Sequence, residues 1–239
     1  MSDDAVLDND AGAAEMLPLA GHIDIVSDAI CPWCWIGKRH FAGALAILAK
    51  DGMRFTQSWR PYQLNPDMPA EGVMREAYRA KKFGSIESSR QKDAQVAEFG
   101  RAAGLEFRFD RMTWTPNTVQ AHRLLRLAAP TGRQDALAEA LFAAYFQEGQ
   151  DIGDVAVLSA IGRAAGLDAA TIAEFEGGVA GRAEVLAEDA AMREAGLNGV
   201  PSFVLDRHLL FSGAQPPEQM AASFSRAVRI LRERSDGGA

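Results

Sequence analysis

Cysteine is scarce in this chain: Cys31 and Cys34 are the only two among 239 residues. A zinc site needs four ligands, so two more would have to be found among the histidines or cysteines. The four histidines are His22, His40, His122 and His208. None of them has a partner at ligand spacing, and we predict no metal site. The cysteine pair is therefore either redox-active or two inert buried thiols.

Basic residues are missing from the start of the chain, where no lysine or arginine precedes Lys38. The early charges are carboxylates, at Asp3, Asp4, Asp8, Asp10 and Glu15. A secretory signal has a basic start and an apolar middle, so we interpret residues 1–20 as a disordered acidic lead. The expected location is the reducing cytoplasm, where a lone cysteine pair is more often catalytic or metal-binding than structural.

Two other absences limit the partners of the chain. The net charge is −7, which leaves no basic footprint for nucleic acid or an anionic membrane surface. No apolar run approaches the ~18 residues that a bilayer span requires. We therefore expect neither a nucleic-acid nor a membrane partner. Hydrophobic residues make up 48% of the chain, which is enough for a sizeable core.

The two cysteines form the motif Cys31-Pro32-Trp33-Cys34. Proline is favoured at the first position of a helix, which would make Cys31 the N-cap residue. The free N–H groups and positive dipole of a helix N-terminus favour a negative sulfur. We therefore expect Cys31 to be a nucleophilic thiolate near neutral pH. Cys34 follows one turn later on the same side of the helix, where it can close a disulfide with Cys31.

The segments around this motif predict a βαβ unit. Residues 22–27 begin with alternating polar and apolar side chains and include β-branched ones, as in a strand. Phe41, Leu45 and Leu48 then follow the spacing of one apolar helix face. Residues 54–59 alternate again and predict a second strand. The complete unit has roughly the ~30 residues that βαβ units need.

The middle of the chain is predicted to be almost entirely helical. Three prolines within residues 60–69 mark a boundary, and helical patterns continue from there to about residue 195. Thr115-Pro116 is interpreted as the N-cap and first residue of one helix. Asp154 and Asp168 are interpreted as the N-caps of two later helices.

The end of the chain returns to strands. Residues 202–205 and 209–211 predict a hairpin, and Pro216-Pro217 opens a final helix. The predicted fold class is α/β, in which two halves joined in one sheet flank a large all-helical insertion. The predicted units are residues 1–20 as the acidic lead, residues 21–66 with 196–239 as the sheet domain, and residues 67–195 as the helical insertion.

This arrangement resembles the thioredoxin superfamily, and Cys-Pro-Trp-Cys after a strand resembles its DsbA family. In that superfamily a cis-proline precedes the third sheet strand and faces the cysteine pair. The resemblance implies that Pro201, within Gly199-Val200-Pro201-Ser202, is this cis-proline. It also implies that the Val200 backbone pairs with a bound peptide or cysteine-containing ligand, and that Pro32 and Trp33 contact substrate.

Three further stretches resemble one branch of the DsbA family, the FrnE-like subgroup. They are residues 60–69, residues 116–124 beginning Pro-Asn-Thr, and Ser212-Gly213-Ala214-Gln215. Together with the cysteine and proline motifs, they extend the resemblance over about residues 21–234. The acidic lead has no counterpart in the subgroup.

The resemblance implies a protein-disulfide oxidoreductase. In the reducing direction Cys31 attacks a substrate disulfide, and Cys34 resolves the mixed disulfide. In the oxidising direction a substrate thiol attacks the Cys31–Cys34 disulfide at Cys31. We expect no metal and no organic cofactor, with glutathione as a candidate redox partner. The substrate is a disulfide- or thiol-containing protein or small molecule.

Two other functions remain open at this stage. The same split architecture serves 2-hydroxychromene-2-carboxylate isomerases and kappa-class glutathione transferases. Those enzymes usually carry serine where this chain has Cys31, and they lack the second cysteine. Their Ser-Asp pair after the last strand is also missing, because residues 212–215 read Ser-Gly-Ala-Gln. A peptide-binding chaperone without redox turnover is the non-enzymatic alternative.

Two further polar residues, Asp28 and His122, can be interpreted without a catalytic role. Thioredoxins carry an acid six residues before the first cysteine, where this chain has Ile25. Asp28 could relay protons to a buried thiol, and it could equally be a solvated turn residue. His122 lies on an amphipathic helix, where histidine is usually structural.

Overall fold

A computed structural model describes residues 17–236 of the chain. Residues 1–16 of the predicted acidic lead lie outside the described residues. The prediction is wrong for its last two residues, because the first strand already begins at Leu19. None of the described helices is long and apolar enough to cross a bilayer.

In the described residues most strands lie near the two ends of the chain, and the segment between them is mainly helical. The strands are β1 Leu19–Ser27, β2 Arg54–Pro61, β3 Val73–Met74, β4 Trp114–Thr115, β5 Ser202–Leu205 and β6 His208–Ser212. The α-helices are α1 Pro32–Lys50, α2 Arg75–Phe83, α3 Ile86–Ala102, α4 Val119–Ala128, α5 Gln134–Phe146, α6 Val155–Ala164, α7 Ala169–Glu176, α8 Arg182–Glu194 and α9 Pro217–Asp236.

Four of the strands form one mixed sheet in the order β2-β1-β5-β6. β1 and β2 run parallel, and Ile25 in β1 lies opposite Trp59. On its other side β1 is antiparallel to β5, and Ile25 lies opposite Phe203. The β5–β6 turn uses Asp206 and Arg207, whose φ angles of 44° and 73° lie in the left-handed region. The two ends of the chain therefore complete a single sheet, which confirms the predicted fold class.

Aromatic side chains form the core between the sheet and its neighbouring helices. Phe41 of α1 packs on Phe203 of β5 and Phe224 of α9, with ring centroids 5.3 and 5.8 Å apart. On the side of the helical segment, Trp35 of α1 stacks on Phe142 and Phe146 of α5 at 6.2 and 5.9 Å. The helix that carries the cysteines is thus held by both parts of the fold.

Side-chain hydrogen bonds also attach the helical segment to the outer edge of β2. The Gln134 amide of α5 accepts from the Trp59 backbone N–H at 2.8 Å and donates to the Trp59 carbonyl at 3.1 Å. It satisfies both backbone groups of a buried strand residue, which would otherwise carry a desolvation cost. The domain boundaries at residues 66/67 and 195/196 stay a prediction.

The helical segment departs from the sequence analysis at Thr115-Pro116, which do not begin a helix. Thr115 pairs with Val73 in the short β3–β4 ladder, and the helix begins at Val119. The Asn117 side chain accepts from the Val119 N–H at 3.0 Å. Thr115 lies in this ladder because a distant segment pairs with its backbone, so the insertion is not all-helical. The predicted caps Asp154 and Asp168 are confirmed, since each accepts backbone N–H groups of its own helix.

Candidate active site

The N-terminus of α1 places the cysteine pair at the end of β1. Cys31 is the N-cap residue, with φ −93° and ψ 112°, and proline follows it at the first helical position. The Cys31 N–H donates to the Asp28 carbonyl, and the Cys34 N–H donates to the Cys31 carbonyl, both at 3.0 Å. This is the helix start predicted from the sequence.

The two thiols are free, but they differ in their surroundings. Both are buried, with Cys31 4% exposed and Cys34 1% exposed. Burial raises the pKa of the Cys34 thiol well above its ordinary value, and the neighbouring Cys31 raises it further. Contacts with Ser27 and the Asp28 backbone lower the pKa by less. Cys34 therefore holds its proton at neutral pH.

The loop before β5 lies directly against Cys31. The Cys31 thiol donates a weak hydrogen bond to the Val200 carbonyl oxygen, with a sulfur–oxygen distance of 3.6 Å. The Val200–Pro201 peptide bond is cis, as the resemblance implies. A main-chain acceptor thus lies next to the Cys31 sulfur. Substrate contacts of Val200 and Pro201 stay a prediction.

This loop is held in place by Gly37, which the sequence analysis did not mention, and by Ser202 and Ser212, which belong to motifs it quoted. Gly37 of α1 allows close approach, because a Cβ added there would lie 2.8 Å from the Pro201 Cγ. The Ser202 hydroxyl bonds to the Gly199 carbonyl at 2.8 Å and to the Ser212 hydroxyl at 2.6 Å. The stretches that begin at residues 199 and 212 therefore support one another across β5 and β6.

The Trp33 side chain connects the cysteine motif to the helical segment. It is half-buried, and its ring packs on Phe99 of α3 with centroids 5.2 Å apart. Phe99 is 51% exposed, although it is a large apolar residue. The two rings form an apolar surface beside the cysteine motif. That Trp33 and Pro32 contact substrate stays a prediction, and Phe99 is a residue the sequence analysis missed.

Comparisons with known proteins agree with this fold. A family model described as the DSBA-like thioredoxin domain matches residues 22–225. The chain belongs to this family. A probable DsbA oxidoreductase from Streptomyces coelicolor is 32% identical, with a TM-score of 0.77 over 87% of this chain and 89% of its own. Membership of the FrnE-like subgroup stays a prediction.

Two further proteins are similar to most of the chain. The Bacillus subtilis (strain 168) protein YwbO is 25% identical over 188 residues, which are 77% of this chain and 86% of YwbO. The cytosolic disulfide reductase DsbM from Pseudomonas aeruginosa, solved with GSH, is 19% identical with a TM-score of 0.55. That likeness covers 90% of this chain and 99% of DsbM, and it shows the fold alone.

Beneath the cysteines, this DSBA-like chain buries an acid and a histidine together. Asp28 has no exposed surface, so it is not a solvated turn residue. One oxygen of its carboxylate accepts from the Leu64 N–H at 2.7 Å, and the other lies 3.5 Å from His122 Nε2. His122 reaches Asp28 from α4, so the helical segment supplies part of the region behind Cys34. No group of three or more metal-ligating side chains occurs within residues 17–236.

Proposed function

We propose that this DSBA-like chain is a thiol–disulfide oxidoreductase in which Cys31 exchanges with substrate and Cys34 resolves the mixed disulfide. The supporting observation is the unequal pair of thiols. Both are buried, but Cys31 lies at a helix N-terminus beside the Val200 carbonyl, whereas Cys34 lies one turn further along with its pKa raised by burial. A helix N-terminus stabilises a thiolate, and burial keeps the second thiol protonated until a mixed disulfide has formed.

Reduction of a substrate proceeds in two exchanges. The Cys31 thiolate attacks one sulfur of the substrate disulfide, and the other substrate sulfur leaves as a thiolate that takes up a proton. Cys34 then loses its proton and attacks the Cys31 sulfur, which releases the second substrate thiol. Two electrons pass from the dithiol to the substrate, and Cys31–Cys34 becomes a disulfide. The oxidising direction is the reverse of these steps.

Substrate binding is proposed to use the groups around Cys31. The Val200 carbonyl can accept from a backbone N–H of a bound peptide, while Pro32, Trp33 and Pro201 supply apolar contact. This chemistry requires neither a metal nor an organic cofactor. Glutathione is a proposed redox partner because it exchanges with protein dithiols, and the DsbM structure with GSH is consistent with that. The cytoplasmic location stays a prediction.

An equilibrium redox titration in glutathione buffers tests the proposal. Thiols are alkylated at each ratio and counted by intact mass. We expect one reversible two-electron transition between the Cys31–Cys34 disulfide and the dithiol. Cys31→Ser should abolish exchange, and Cys34→Ser should accumulate mixed disulfides. A chaperone without redox turnover would instead retain full function in Cys31→Ser.

The same titration addresses the glutathione transferase or isomerase alternative. That alternative predicts no internal disulfide, or a stable glutathione adduct on Cys31 as the end state. Either result would contradict the oxidoreductase proposal. The presence of Cys34, buried directly behind Cys31, is the observation that favours disulfide exchange over the alternative.

A further inference from the structure

Resolution of a mixed disulfide requires Cys34 to lose a proton that it holds tightly. The thiol is 1% exposed, and its pKa is raised by burial. The thiolate is the attacking species, so some group must accept this proton as Cys34 attacks. This proton must therefore pass from the Cys34 sulfur to solvent.

The first group on such a path is the Ser27 hydroxyl. Ser27 is the last residue of β1, and its side chain is close enough to the Cys34 thiol to lower the pKa of that thiol. Ser27 also lines a cavity of about 430 Å³, together with His122. One water needs only about 10–15 Å³ of such volume, so this cavity can hold water between the two side chains. The cavity reaches the exposed residues Ala129 and Pro130.

The second group is His122, whose Nε2 is buried and has no hydrogen-bond partner among the described residues. Its side chain is 2% exposed, and Nε2 lies 3.5 Å from the Asp28 carboxylate, which is 0% exposed. A buried polar atom without a hydrogen-bond partner lowers the stability of the fold, so its presence calls for a functional explanation. Protonation of His122 would turn this contact into an ion pair, which makes the imidazole a suitable proton acceptor.

The other charged groups around the cavity do not provide an equivalent base. Glu188 forms ion pairs with both Arg60 and Arg126. Glu174 lies on an exposed part of the lining. His122 is the buried titratable side chain of the lining, and Asp28 is the carboxylate that faces it.

We propose that Ser27 and His122 carry the proton of Cys34 into the cavity, and that Asp28 holds His122 in position and offsets the charge it acquires. The inference rests on the proposed disulfide exchange. As the Cys34 sulfur attacks the Cys31 sulfur, its proton passes to the Ser27 hydroxyl, and an equivalent proton passes through cavity water to His122. The substrate sulfur leaves with the electron pair of the broken sulfur–sulfur bond. His122 then releases the proton to solvent, and in the reverse reaction it returns a proton to Cys34.

A two-step reaction with a small aromatic disulfide, dithiobis-nitrobenzoate, separates the two thiols. Attack by Cys31 releases one coloured thionitrobenzoate in a phase whose rate depends on reagent concentration. Attack by Cys34 on the resulting mixed disulfide releases the second, independently of that concentration. Thionitrobenzoate leaves as a stable thiolate, so it needs no proton, and the second phase reports the loss of the Cys34 proton.

We expect His122→Gln to slow the second phase by about tenfold or more, as general bases contribute about 10²–10⁴. The first phase should stay within about twofold of wild type. Asp28→Asn should slow the second phase in the same way and serves as the second variant if His122→Gln does not fold. His208→Gln, an exposed substitution of the same kind in β6, should change neither phase. Free imidazole should accelerate the second phase of His122→Ala and leave the first unchanged.

Three results would overturn the relay. The second phase could stay within twofold of wild type in His122→Gln or in Asp28→Asn. Both phases could slow equally, which would indicate a structural role. Imidazole could fail to restore His122→Ala. If the wild-type protein released one thionitrobenzoate and formed no internal disulfide, that result would instead contradict the proposed function. The relay, which rests on that function, would be contradicted with it.

Discussion

Burial of the Cys34 thiol predicts that the dithiol form of this protein loses stability in alkali. The folded state raises the pKa of Cys34 well above its ordinary value, whereas the unfolded chain leaves that thiol at about 8.5. The contribution of Cys34 is therefore fully present below about pH 8.5, and it is lost progressively above that pH because only the unfolded chain releases the proton.

The size of this effect follows from linkage. At pH 9.5 a thiol with a pKa of about 8.5 is roughly ten-elevenths deprotonated in the unfolded chain, which favours unfolding by RT ln 11, about 1.4 kcal/mol. At pH 7.5 the same term is below about 0.1 kcal/mol. The reduced wild-type protein should thus lose about 1.4 kcal/mol more between these two pH values than Cys34→Ser does.

Urea unfolding in a non-thiol reductant measures this difference, with reduced wild type and Cys34→Ser compared at both pH values. The serine variant keeps every other titrating group, so these cancel in the comparison. The oxidised protein, whose thiols do not titrate, is a second control. If wild type and variant lost the same free energy of unfolding between the two pH values, burial would not hold the proton on Cys34. The assignment of Cys34 as the protonated, resolving thiol would then fail.

Three further substitutions test the supports of the site, each by urea unfolding. Gly37→Ala should destabilise the protein by about 1 kcal/mol, because the clash of the new methyl group with Pro201 costs about 1–3 kcal/mol and the better helix propensity of alanine returns about 1 kcal/mol. A variant as stable as wild type would contradict the close approach of Gly37 and Pro201. Gln134→Leu should cost about 2 kcal/mol by orphaning the Trp59 backbone, and faster hydrogen exchange at the Trp59 amide should accompany it. Asp154→Ala should cost about 1 kcal/mol without moving the redox midpoint, because its cap lies in α6.

Features that depend on neighbours in the sequence were predictable. Cys31 caps α1 because Pro32 follows it, and Asp154 and Asp168 cap helices through N–H groups two or three residues away. Such bonds form within one turn of chain, so a local pattern specifies them. The strand alternation likewise predicted strands at both ends of the chain, and the need of each half to cover its apolar face predicted that these strands share one sheet.

Features that join distant segments were decided by the tertiary structure. Thr115 lies in a strand pair rather than at a helix start, because Val73 supplies its partner. Phe99 reaches Trp33 only when α3 packs beside α1.

Asp28 and His122 show the same separation of local from tertiary information. From the sequence, Asp28 is interpreted as a turn carboxylate and His122 as a structural histidine of a helix. Packing of α4 against β2 buries both side chains and leaves them 3.5 Å apart. Burial and long-range contact are properties of the packed chain, so the sequence alone determined the cysteine pair, whereas the folded structure determined what surrounds Cys34.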